Sequence, residues 1–483
     1  MKYPLEAIVA WAKRRWFIYP WSDIYGWLAN AWDLWPYGAI LRKNILDSWW
    51  KTFVQKREDI LPLDSAILMN PKVWEASWHT ENFNDPMIDD KNTWERFRVD
   101  KLIEEKIEAF RKQETDQEIL NRLKNGFWVE NLIPESWTFE QMKAFVEKYI
   151  PNNPNTWKKA NWTDVRKFNL MFKTFQGVLE EEANVVYLRP ETAQWIFVNF
   201  KNILDTMRVK IPFGIAQIGK AFRNEITPWN FLYRVREFEQ MEIEYFVEPE
   251  NDEKFFELWK QWSWDWWINE IWIKKENLRF RDHEPDELSH YSKWTTDIEY
   301  NFPWWWWELQ WIARRTDYDL RQHQSYSWEN LQYTDPKTWK RFIPWVIEPS
   351  WWLTRAILTV MLDSYDEEIY TDPKWRQQQR VVVRFSPKIA PIKFAVLPLL
   401  EKNEDMVNLA RNIFKDLSQD YMVELDIKWN IWKRYRRQDE IWTPWCITVD
   451  HQSLEDWTVT IRDRDSMEQK RIKIENIKKF IQN

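Results

Sequence analysis

The stretch GKAFRNEITPWNFLYRVREFEQMEIEYF, residues 219–246, decides the fold of this chain. Its first part carries Arg223 and Glu225, and its last part, from Arg236 onward, alternates charged or polar side chains with apolar ones. Such alternation is typical of a strand whose two faces meet different surroundings. Because a Pro-containing loop lies between the two parts, the stretch predicts two antiparallel strands joined by a loop.

Other segments extend this sheet and add helices to it. VVYLRP (185–190) and TTDIEYNFP (295–303) have strand-like composition. In IEPSWWLTRAIL (347–358), Arg355 opens a predicted helix, and PYGAILRKNILDSWW predicts another helix with Pro36 ahead of it. A mostly antiparallel sheet with flanking helices fits best, and the predicted fold class is therefore α/β of the α+β kind.

The chain divides into two predicted domains, since 483 residues exceed the size at which one core keeps growing. Residues 1–370 form the first domain, with an insertion at about 60–165 that is polar at first and then helical and charged. After TDPKWRQQQR (371–380) the pattern changes to short strands and helices. Residues 380–483 therefore predict a separate small α/β domain.

Composition excludes several kinds of protein. Charged residues make up 30%, and no apolar run approaches the roughly 20 residues that a membrane span needs. The lone Cys446 and an N-terminal stretch without a signal-peptide pattern predict a cytoplasmic location, and one Cys with five His makes structural zinc improbable. The net charge of -7 leaves room for local RNA contact only, and the predicted contact is the basic cluster Lys433, Arg434, Arg436 and Arg437.

The chain has unusually few glycines and unusually many tryptophans. The chain has 6 Gly and 40 Trp, whereas average usage would give about 34 Gly. Trp457 follows Asp456 where an Asp-Gly hairpin turn is expected, and NFPWWWWELQW (301–311) and IEPSWW (347–352) put indoles into predicted loops. We hypothesise that UGA codons read as glycine by the organism are written here as tryptophan. The alternative is a Trp-rich protein whose rings stack on sugars or bases.

These segments resemble a known enzyme family. Residues 219–246 look like motif 2 of the class II aminoacyl-tRNA synthetases, IEPSWWLTRAIL like motif 3, and the helix after Pro36 like motif 1. Over nearly the whole chain the resemblance narrows to the dimeric glycyl-tRNA synthetase family, through YLRPETAQWIFVNF, KIPFGIAQIGKAFRNEITP, DELSHYS, RRTDYDL and RYRRQDEIWTPWCITVDHQSLEDWTVTIRDRDSMEQKRI.

The resemblance implies an architecture, a reaction and its participants. It implies a class II antiparallel-sheet catalytic domain with a helical insertion and a C-terminal α/β anticodon-binding domain. The reaction would be ATP-dependent activation of glycine to glycyl-adenylate, followed by transfer to the 3′ end of tRNA(Gly). The implied partners are glycine, ATP with Mg²⁺ and tRNA(Gly). The implied enzyme is a cytoplasmic homodimer without a membrane anchor.

The resemblance also assigns an ATP site. Glycine's carboxylate attacks the α-phosphate, and fixed cations must stabilise the negative charge that develops. Arg223 and Arg355 are the expected catalytic residues, with Arg355 covering the adenine and Phe238 stacking on its other face. Mg²⁺ would bridge phosphates near Glu308 without a protein cage. The expected ATP-binding residues are Arg223, Asn224, Glu225, Tyr233, Arg234, Val235, Arg236, Glu237, Phe238, Glu308, Leu309, Trp352, Leu353, Thr354 and Arg355.

A glycine pocket must grip an ammonium and a carboxylate and exclude every side chain. Carboxylates are expected to converge on the ammonium. The expected glycine-binding residues are Arg98, Glu191, Phe238, Glu239, Gln240, Met241, Glu242, Glu348, Ser350 and Trp352. Trp195, Trp311 and Trp352 stand where the family pattern has Gly, and as written they would obstruct this pocket.

Two other functions remain open. Another synthetase of the same subgroup, such as a threonyl, prolyl or histidyl enzyme, would share the ATP site, although RPETAQ (189–194) and EPSWWLTR (348–355) argue against it. A catalytically inactive, synthetase-like nucleic-acid-binding protein is the second alternative. The presence of both Arg223 and Arg355 argues against that reading.

Overall fold

The structure, a computed structural model, describes residues 3–26, 31–132, 134–178, 185–226, 230–285, 287–289, 291–371 and 377–480. Within these ranges, no helix is both long enough and apolar enough to cross a membrane. The helices are α1 Leu5–Arg14, α2 Pro36–Trp50, α3 Pro71–Ala76, α4 His79–Asn82, α5 Val99–Arg111, α6 Asp116–Phe127, α7 Phe139–Tyr149, α8 Ala193–Met207, α9 Asp252–Asp265, α10 Tyr318–Ser327, α11 Leu353–Ser364, α12 Glu404–Leu417, α13 Ile431–Ile441, α14 His451–Asp456 and α15 Ile477–Phe480.

The strands fall into several sheets. They are β1 Ile18–Pro20, β2 Trp32–Leu34, β3 Ile60–Leu63, β4 Asn84–Asp89, β5 Arg96–Arg98, β6 Arg166–Asn169, β7 Lys173–Phe175, β8 Val185–Tyr187, β9 Phe213–Phe222, β10 Glu237–Val247, β11 Leu278–Asp282, β12 Trp294–Asn301, β13 Trp306–Thr316, β14 Tyr333–Thr334, β15 Arg341–Phe342, β16 Trp345–Trp352, β17 Tyr365–Thr371, β18 Gln377–Val383, β19 Phe394–Pro398, β20 Val423–Leu425, β21 Trp445–Val449, β22 Thr458–Asp463 and β23 Gln469–Lys473.

A seven-stranded sheet in the order β11-β12-β13-β16-β10-β9-β3 forms the centre of the molecule. Its neighbouring strands are antiparallel, except that β3 lies parallel to β9. β9 and β10 pair antiparallel, with Phe222 opposite Glu237, so the two strands predicted from residues 219–246 are confirmed. Residues 227–229 of the connecting loop lie outside the described residues.

The two faces of β10 meet different surroundings. Met241, Ile243 and Tyr245 pack into the largest hydrophobic core, together with residues of α2, α9 and α11. Gln240 and Glu242 alternate with them and lie buried on the other face. The predicted helices after Pro36 and at Arg355 are confirmed as α2 and α11, and together they cover the apolar face. The period of two along β10 thus separates a hydrophobic face from a polar one.

The insertion has a core of its own. Strands β5, β4 and β6 form a three-stranded sheet, and α5, α6 and α7 pack around Ile103, Leu123 and Phe145. Asn153 Nδ2 donates hydrogen bonds to Asp90 Oδ2 at 2.9 Å and to Glu95 Oε2 at 2.7 Å. These elements follow β3 in the chain, and β3 itself belongs to the seven-stranded sheet.

The C-terminal unit is a mixed five-stranded sheet in the order β20-β19-β21-β22-β23, covered by α12, α13 and α14. The predicted basic cluster on α13 is only partly a surface feature. Arg434 is buried and donates to the carbonyls of Pro398 and Asp426, while Arg437 forms an ion pair with Asp426. The prediction that the whole cluster contacts RNA is therefore wrong for Arg434, because this buried side chain stabilises the fold.

Two predicted loop assignments are also wrong. IEPSWW lies in β16 and the second half of NFPWWWWELQW lies in β13, because both segments pair in the middle of the sheet. The expected hairpin at Asp456-Trp457 is instead the end of α14, where Trp457 follows the helix with φ 58. VVYLRP does form β8, but β8 pairs with β7 in a small separate sheet.

Tryptophan dominates the left-handed region of the backbone. Among the described residues, 11 of the 17 non-glycine residues with positive φ are Trp: Trp16, Trp78, Trp94, Trp128, Trp157, Trp272, Trp328, Trp339, Trp429, Trp442 and Trp457. Trp128, Trp328, Trp442 and Trp457 each follow the last residue of a helix, which is the position that glycine most often takes. Trp27, Trp229 and Trp375 lie outside the described residues.

Candidate active site

A cleft of ≈ 200 Å³ opens where β10, β13 and β16 approach the start of α11. That volume is below the roughly 300 to 1,000 Å³ of most small-molecule sites. Eleven residues expected from the sequence line it: Arg98, Arg223, Glu225, Tyr233, Arg234, Val235, Phe238, Glu308, Trp352, Thr354 and Arg355. Phe83, Leu170 and Trp311 complete its wall.

The indole of Trp352 occupies a slot inside this cleft. Its ring stacks on Phe238 with centroids 4.8 Å apart and planes 10° from parallel. The guanidinium of Arg355 lies 3.7 Å from the Trp352 ring centroid, and that of Arg223 lies 4.8 Å from it. The indole Nε1 is buried and finds no hydrogen-bond partner among the described residues. Phe238, Arg355 and Arg223, the groups expected around a nucleotide, therefore surround the Trp352 indole instead.

Neighbouring contacts hold the two arginines in place. Arg355 Nη1 donates to Glu308 Oε1 at 2.7 Å, and its guanidinium lies 4.3 Å from the Tyr233 ring centroid. Tyr233 Oη donates to the Glu308 carbonyl at 2.9 Å. Arg223 Nε donates to the Pro190 carbonyl at 3.1 Å. Because Glu308, Tyr233 and Pro190 lie far apart in the chain, the tertiary fold orients both guanidinium groups.

Beside the cleft lies a buried cluster of carboxylates, at the place expected for the glycine pocket. Ser350 Oγ donates to Glu242 Oε1 at 2.8 Å, and Thr192 Oγ1 donates to the other oxygen of Glu242. Glu191 lies next to Thr192 and accepts from Gln194 Nε2 at 3.0 Å. Together with Glu348 and Gln240, these residues are buried on the polar face of β10 and its neighbours. The structure thus brings half of the expected glycine-binding residues together in this cluster.

The carboxyls of this pocket have different electrostatic surroundings. Burial and the nearby carboxylates raise the pKa of Glu242 and raise the pKa of Glu348 well above its usual range. Burial also acts on Glu191, but His79, whose Nε2 is 3.4 Å away, and Arg315 lower its pKa overall. His79 and Arg315 therefore keep Glu191 ionised, whereas negative charge is crowded around Glu348.

Several expected residues lie elsewhere. The strand alternation of β10 puts Glu239 and Met241 on the apolar face, where Glu239 forms an ion pair with Arg42 and Met241 lies in the core. Glu237 is exposed and pairs with Lys220. The structure does not bring these side chains to the cleft, and four more of the expected ATP-binding residues do not line it: Asn224, Arg236, Leu309 and Leu353.

Arg98 comes to the cleft from the insertion. It ends β5 and forms ion pairs with Asp100 at 2.5 Å and Asp85 at 3.2 Å. Burial raises the pKa of Asp85 to about 6. The insertion thus contributes one arginine to the cleft, held by two acids.

Sequence reasoning missed three buried residues of the pocket. Glu244 continues the alternation of Gln240 and Glu242, which was a signal that could have identified it. Arg315 and Asp319 lie within RRTDYDL (314–320), and Arg315 donates to Asp319 through Nε and Nη2, at 2.9 Å each. No local pattern shows that Arg315 and Asp319 face the carboxylates, because only the tertiary fold brings β13 and α10 to that place.

A larger cavity of ≈ 380 Å³ lies between α1 and the C-terminal unit. Tyr37 Oη donates to Glu424 Oε2 at 2.9 Å in its wall, and Arg437 pairs with Asp426 there. The Tyr37–Glu424 hydrogen bond connects the two units, and none of the expected ATP- or glycine-binding residues lines this cavity.

An antiparallel sheet with a nucleotide slot made by a motif 2 phenylalanine and a motif 3 arginine defines a class II aminoacyl-tRNA synthetase. Residues 172–338 match the "tRNA synthetase class II core domain (G, H, P, S and T)", and residues 393–483 match the "Anticodon binding domain". Residues 85–133 match the "Glycyl-tRNA synthetase insertion domain 1". The chain belongs to the glycine--tRNA ligase family, as its relatives show.

The glycine--tRNA ligase of Acetivibrio thermocellus is 52% identical over 100% of this chain and 98% of its own length. That of Alkaliphilus oremlandii is 49% identical over 99% and 97%, and that of Staphylococcus aureus strain Newman is 48% identical over 99% and 98%. Among solved structures, a prolyl-tRNA synthetase from Cryptosporidium parvum complexed with L-proline and AMP is similar in fold. Its TM-score is 0.59 at 12% identity, over 98% of this chain and 76% of that chain.

Proposed function

We propose that this chain activates glycine with ATP and transfers it to tRNA(Gly), and that its organism reads the codon for residue 352 as glycine. The slot between Phe238 and Arg355 is the observation that supports both parts of this proposal. The indole that fills it is a flat bicyclic aromatic ring, as adenine is, and a phenyl face and a guanidinium plane stack on either kind of ring. Without the Trp352 side chain, the slot has the partners and the shape for adenine.

The residues around the slot suit adenylate formation. The Arg223 guanidinium lies beside the slot, where it can stabilise negative charge on an α-phosphate attacked by the glycine carboxylate. Arg355 would hold the γ-phosphate and cover the adenine. Glu308 lies in the cleft wall and offers the hard carboxylate oxygen that Mg²⁺ prefers. When bound with ATP, Mg²⁺ would neutralise charge on the phosphates.

The pocket beside the slot suits glycine in charge and in size. Glu191, Glu242 and Glu348 offer carboxylates for an ammonium, and Ser350 fixes Glu242. One further indole crowds the slot, since Trp311 lies 6.2 Å from Trp352 between ring centroids. Trp195 follows Glu191 in the first turn of α8 and packs against Met69 and Trp74. Glycine at these positions would leave room for the smallest amino acid and little more.

We extend the proposal to the domains and partners. Residues 1–370 would be the catalytic domain with its insertion, and residues 380–483 would bind the anticodon of tRNA(Gly). On α13, Lys433 and Arg436 are exposed and are the candidates for RNA contact, whereas Arg434 is buried. A homodimer in the cytoplasm completes the proposal, and the family resemblance is its support.

Backbone geometry supports glycine at many of the other tryptophans. A bulky residue with positive φ is a rare conformation that costs roughly 1 to 3 kcal/mol, and this chain has eleven Trp of that kind. Their sum would be comparable to or larger than the roughly 5 to 15 kcal/mol by which a protein is normally stable. Trp49 and Trp74 differ from them, because both lie inside helices with ordinary φ and are fully buried.

A second function is favoured if Trp352 is genuine. The stacked Phe238-Trp352-Arg355 arrangement would then close the slot permanently. The chain would be a synthetase-like nucleic-acid-binding protein without catalysis. Peptide mass spectrometry of the protein isolated from its own organism separates the two cases. We expect glycine at positions 195, 311, 352 and 457 and tryptophan at the control positions 49 and 74.

Pyrophosphate exchange tests the activity itself. The protein carrying the residues found by mass spectrometry should exchange pyrophosphate into ATP when glycine is supplied. Serine, threonine and proline are the matched controls, because related synthetases with the same ATP site would respond to one of them. Exchange that depends on one of these amino acids, and not on glycine, would refute the proposed substrate.

A further inference from the structure

Beneath the proposed glycine pocket lies a carboxyl without an assigned role. Glu244 is fully buried on the polar face of β10, one alternation farther from the slot than Glu242. Neither of its oxygens has a hydrogen-bond partner among the described residues. One carboxyl oxygen each of Glu242, Glu244 and Glu348 lie within 4.8 Å of one another.

The charges around Glu244 do not balance. It faces three acids, Glu242 on its own strand, Glu348 on β16 and Asp319 on α10, and one cation, Arg315 on β13. Arg315 already donates two hydrogen bonds to Asp319, and its Nη1 lies 3.0 Å from Glu348 Oε1. Buried carboxylates this close cannot all be ionised, because each charge raises the energy of the next.

The unsatisfied oxygens indicate where a proton lies. Neither oxygen of Glu244 has a hydrogen-bond partner within the described parts of the chain, and Glu348 has the ion pair with Arg315 but no donor on its other oxygen. Two ionised carboxylates would leave acceptors facing acceptors, whereas one proton between them gives a donor and an acceptor. Burial also raises the pKa of both groups well above the usual range.

We propose that Glu244 is a positioning residue whose protonated carboxyl donates a hydrogen bond to the Glu348 carboxylate, so that the pair presents one negative charge to the substrate ammonium. This inference rests on the proposed glycine activation. Glu244 supports Glu348 from below and does not itself touch glycine. A fixed donor keeps Glu348 ionised and in one orientation, which a buried carboxylate cannot maintain alone.

Substitutions with and without a donor test this role in pyrophosphate exchange. Glu244→Gln keeps an uncharged donor of the same size, and we expect the KM for glycine to change by less than about threefold. Glu244→Met removes the donor at similar size and should raise that KM about 10- to 100-fold, the range for a lost hydrogen bond to a charged group. The KM for ATP should stay the same in both variants.

Glu348→Gln serves as the control, because it removes the charge itself and should raise the KM for glycine more than Glu244→Met does. If Glu244→Gln is as damaging as Glu348→Gln, Glu244 acts as an ionised ligand and the inference is wrong. If Glu244→Met matches the unsubstituted protein, no positioning role exists.

Infrared spectroscopy gives a reading that does not depend on catalysis. The unsubstituted protein at neutral pH should show the carbonyl band of a protonated carboxyl, and Glu244→Gln should lose it. Loss of glycine-dependent exchange in the unsubstituted protein, with this band intact, would overturn the proposed function but not the shared proton. An absent band would overturn the shared proton whatever the activity.

Discussion

Trp352 and Trp457 share a residue type but differ in both burial and backbone conformation. Trp352 is 8% exposed and has φ -104, a backbone conformation open to any residue, but its ring fills the slot between Phe238 and Arg355. Trp457 is 67% exposed and has ample space, yet its φ of 58 is left-handed. The difference separates two uses of glycine: the absence of a side chain at one position and freedom of φ at the other.

Most of the positive-φ tryptophans resemble Trp457. Trp128 and Trp328 follow helix ends and are 84% and 91% exposed. Trp442 combines both situations, since it is fully buried at the end of α13 with φ 71. Exposed indoles at helix ends bury no surface that would offset their strain, so packing does not account for their presence.

The largest expected effect follows from emptying the slot. In the protein that carries glycine at the positive-φ tryptophan positions and Trp at 352, Trp352→Gly should raise ATP binding about 10²-fold or more, because stacking on a base contributes about 1 to 3 kcal/mol per ring face. Equilibrium binding of an ATP analogue measures this effect. Trp352→Ala is the matched control and should recover most of the gain, since φ -104 suits alanine. Recovery with glycine alone would show that the backbone, and not the ring, closes the slot.

An intermediate effect is expected at Arg223 once the slot is open. Arg223→Ala should lower the rate of glycine adenylation about 10²-fold, the scale for removing one preorganised group that stabilises developing charge. Arg223→Lys should recover only part of the rate, because lysine lacks the planar fork. The single-turnover rate with saturating ATP and glycine is the measurement. An unchanged rate in Arg223→Ala would mean that Arg223 serves the fold alone.

The smallest expected effect is at the helix end. Trp457→Gly should raise the free energy of unfolding of the C-terminal unit by about 1 kcal/mol, because glycine adopts positive φ without a steric cost. Trp457→Asn should give part of this gain and Trp457→Ala almost none. Urea unfolding of the full chain, followed by hydrogen exchange in β21 and β22, measures the change. Equal stability of the glycine and alanine variants would contradict strain at this position.

Local pattern predicted much of the framework. Alternation in residues 219–246 predicted β9 and β10, and the positions of Pro36 and Arg355 predicted α2 and α11. The pattern failed where pairing with a neighbour decides the structure. IEPSWW reads as a loop because of its Pro and its two bulky rings, yet it pairs on both sides in the sheet as part of β16.

The site shows the same division. Motif residues identified the cleft, but the family pattern did not say which face of β10 each residue takes. Glu239 and Met241 were expected at the substrate, and alternation sends them to the apolar face with Arg42 and the core. Glu244 and Arg315 were not expected there, and the fold buries both beside Glu348.

By itself, the sequence determined the family, the strand pair that carries Arg223 and Phe238, and the suspicion that many tryptophans stand for glycine. Composition, short-range periodicity and motif spacing are local properties, and they can be read without knowing what lies across the sheet. Only the tertiary structure decided that Trp352 lies between Phe238 and Arg355 and that Glu244 faces Glu348. These contacts join residues far apart in the chain, and packing chooses among partners that no local pattern distinguishes.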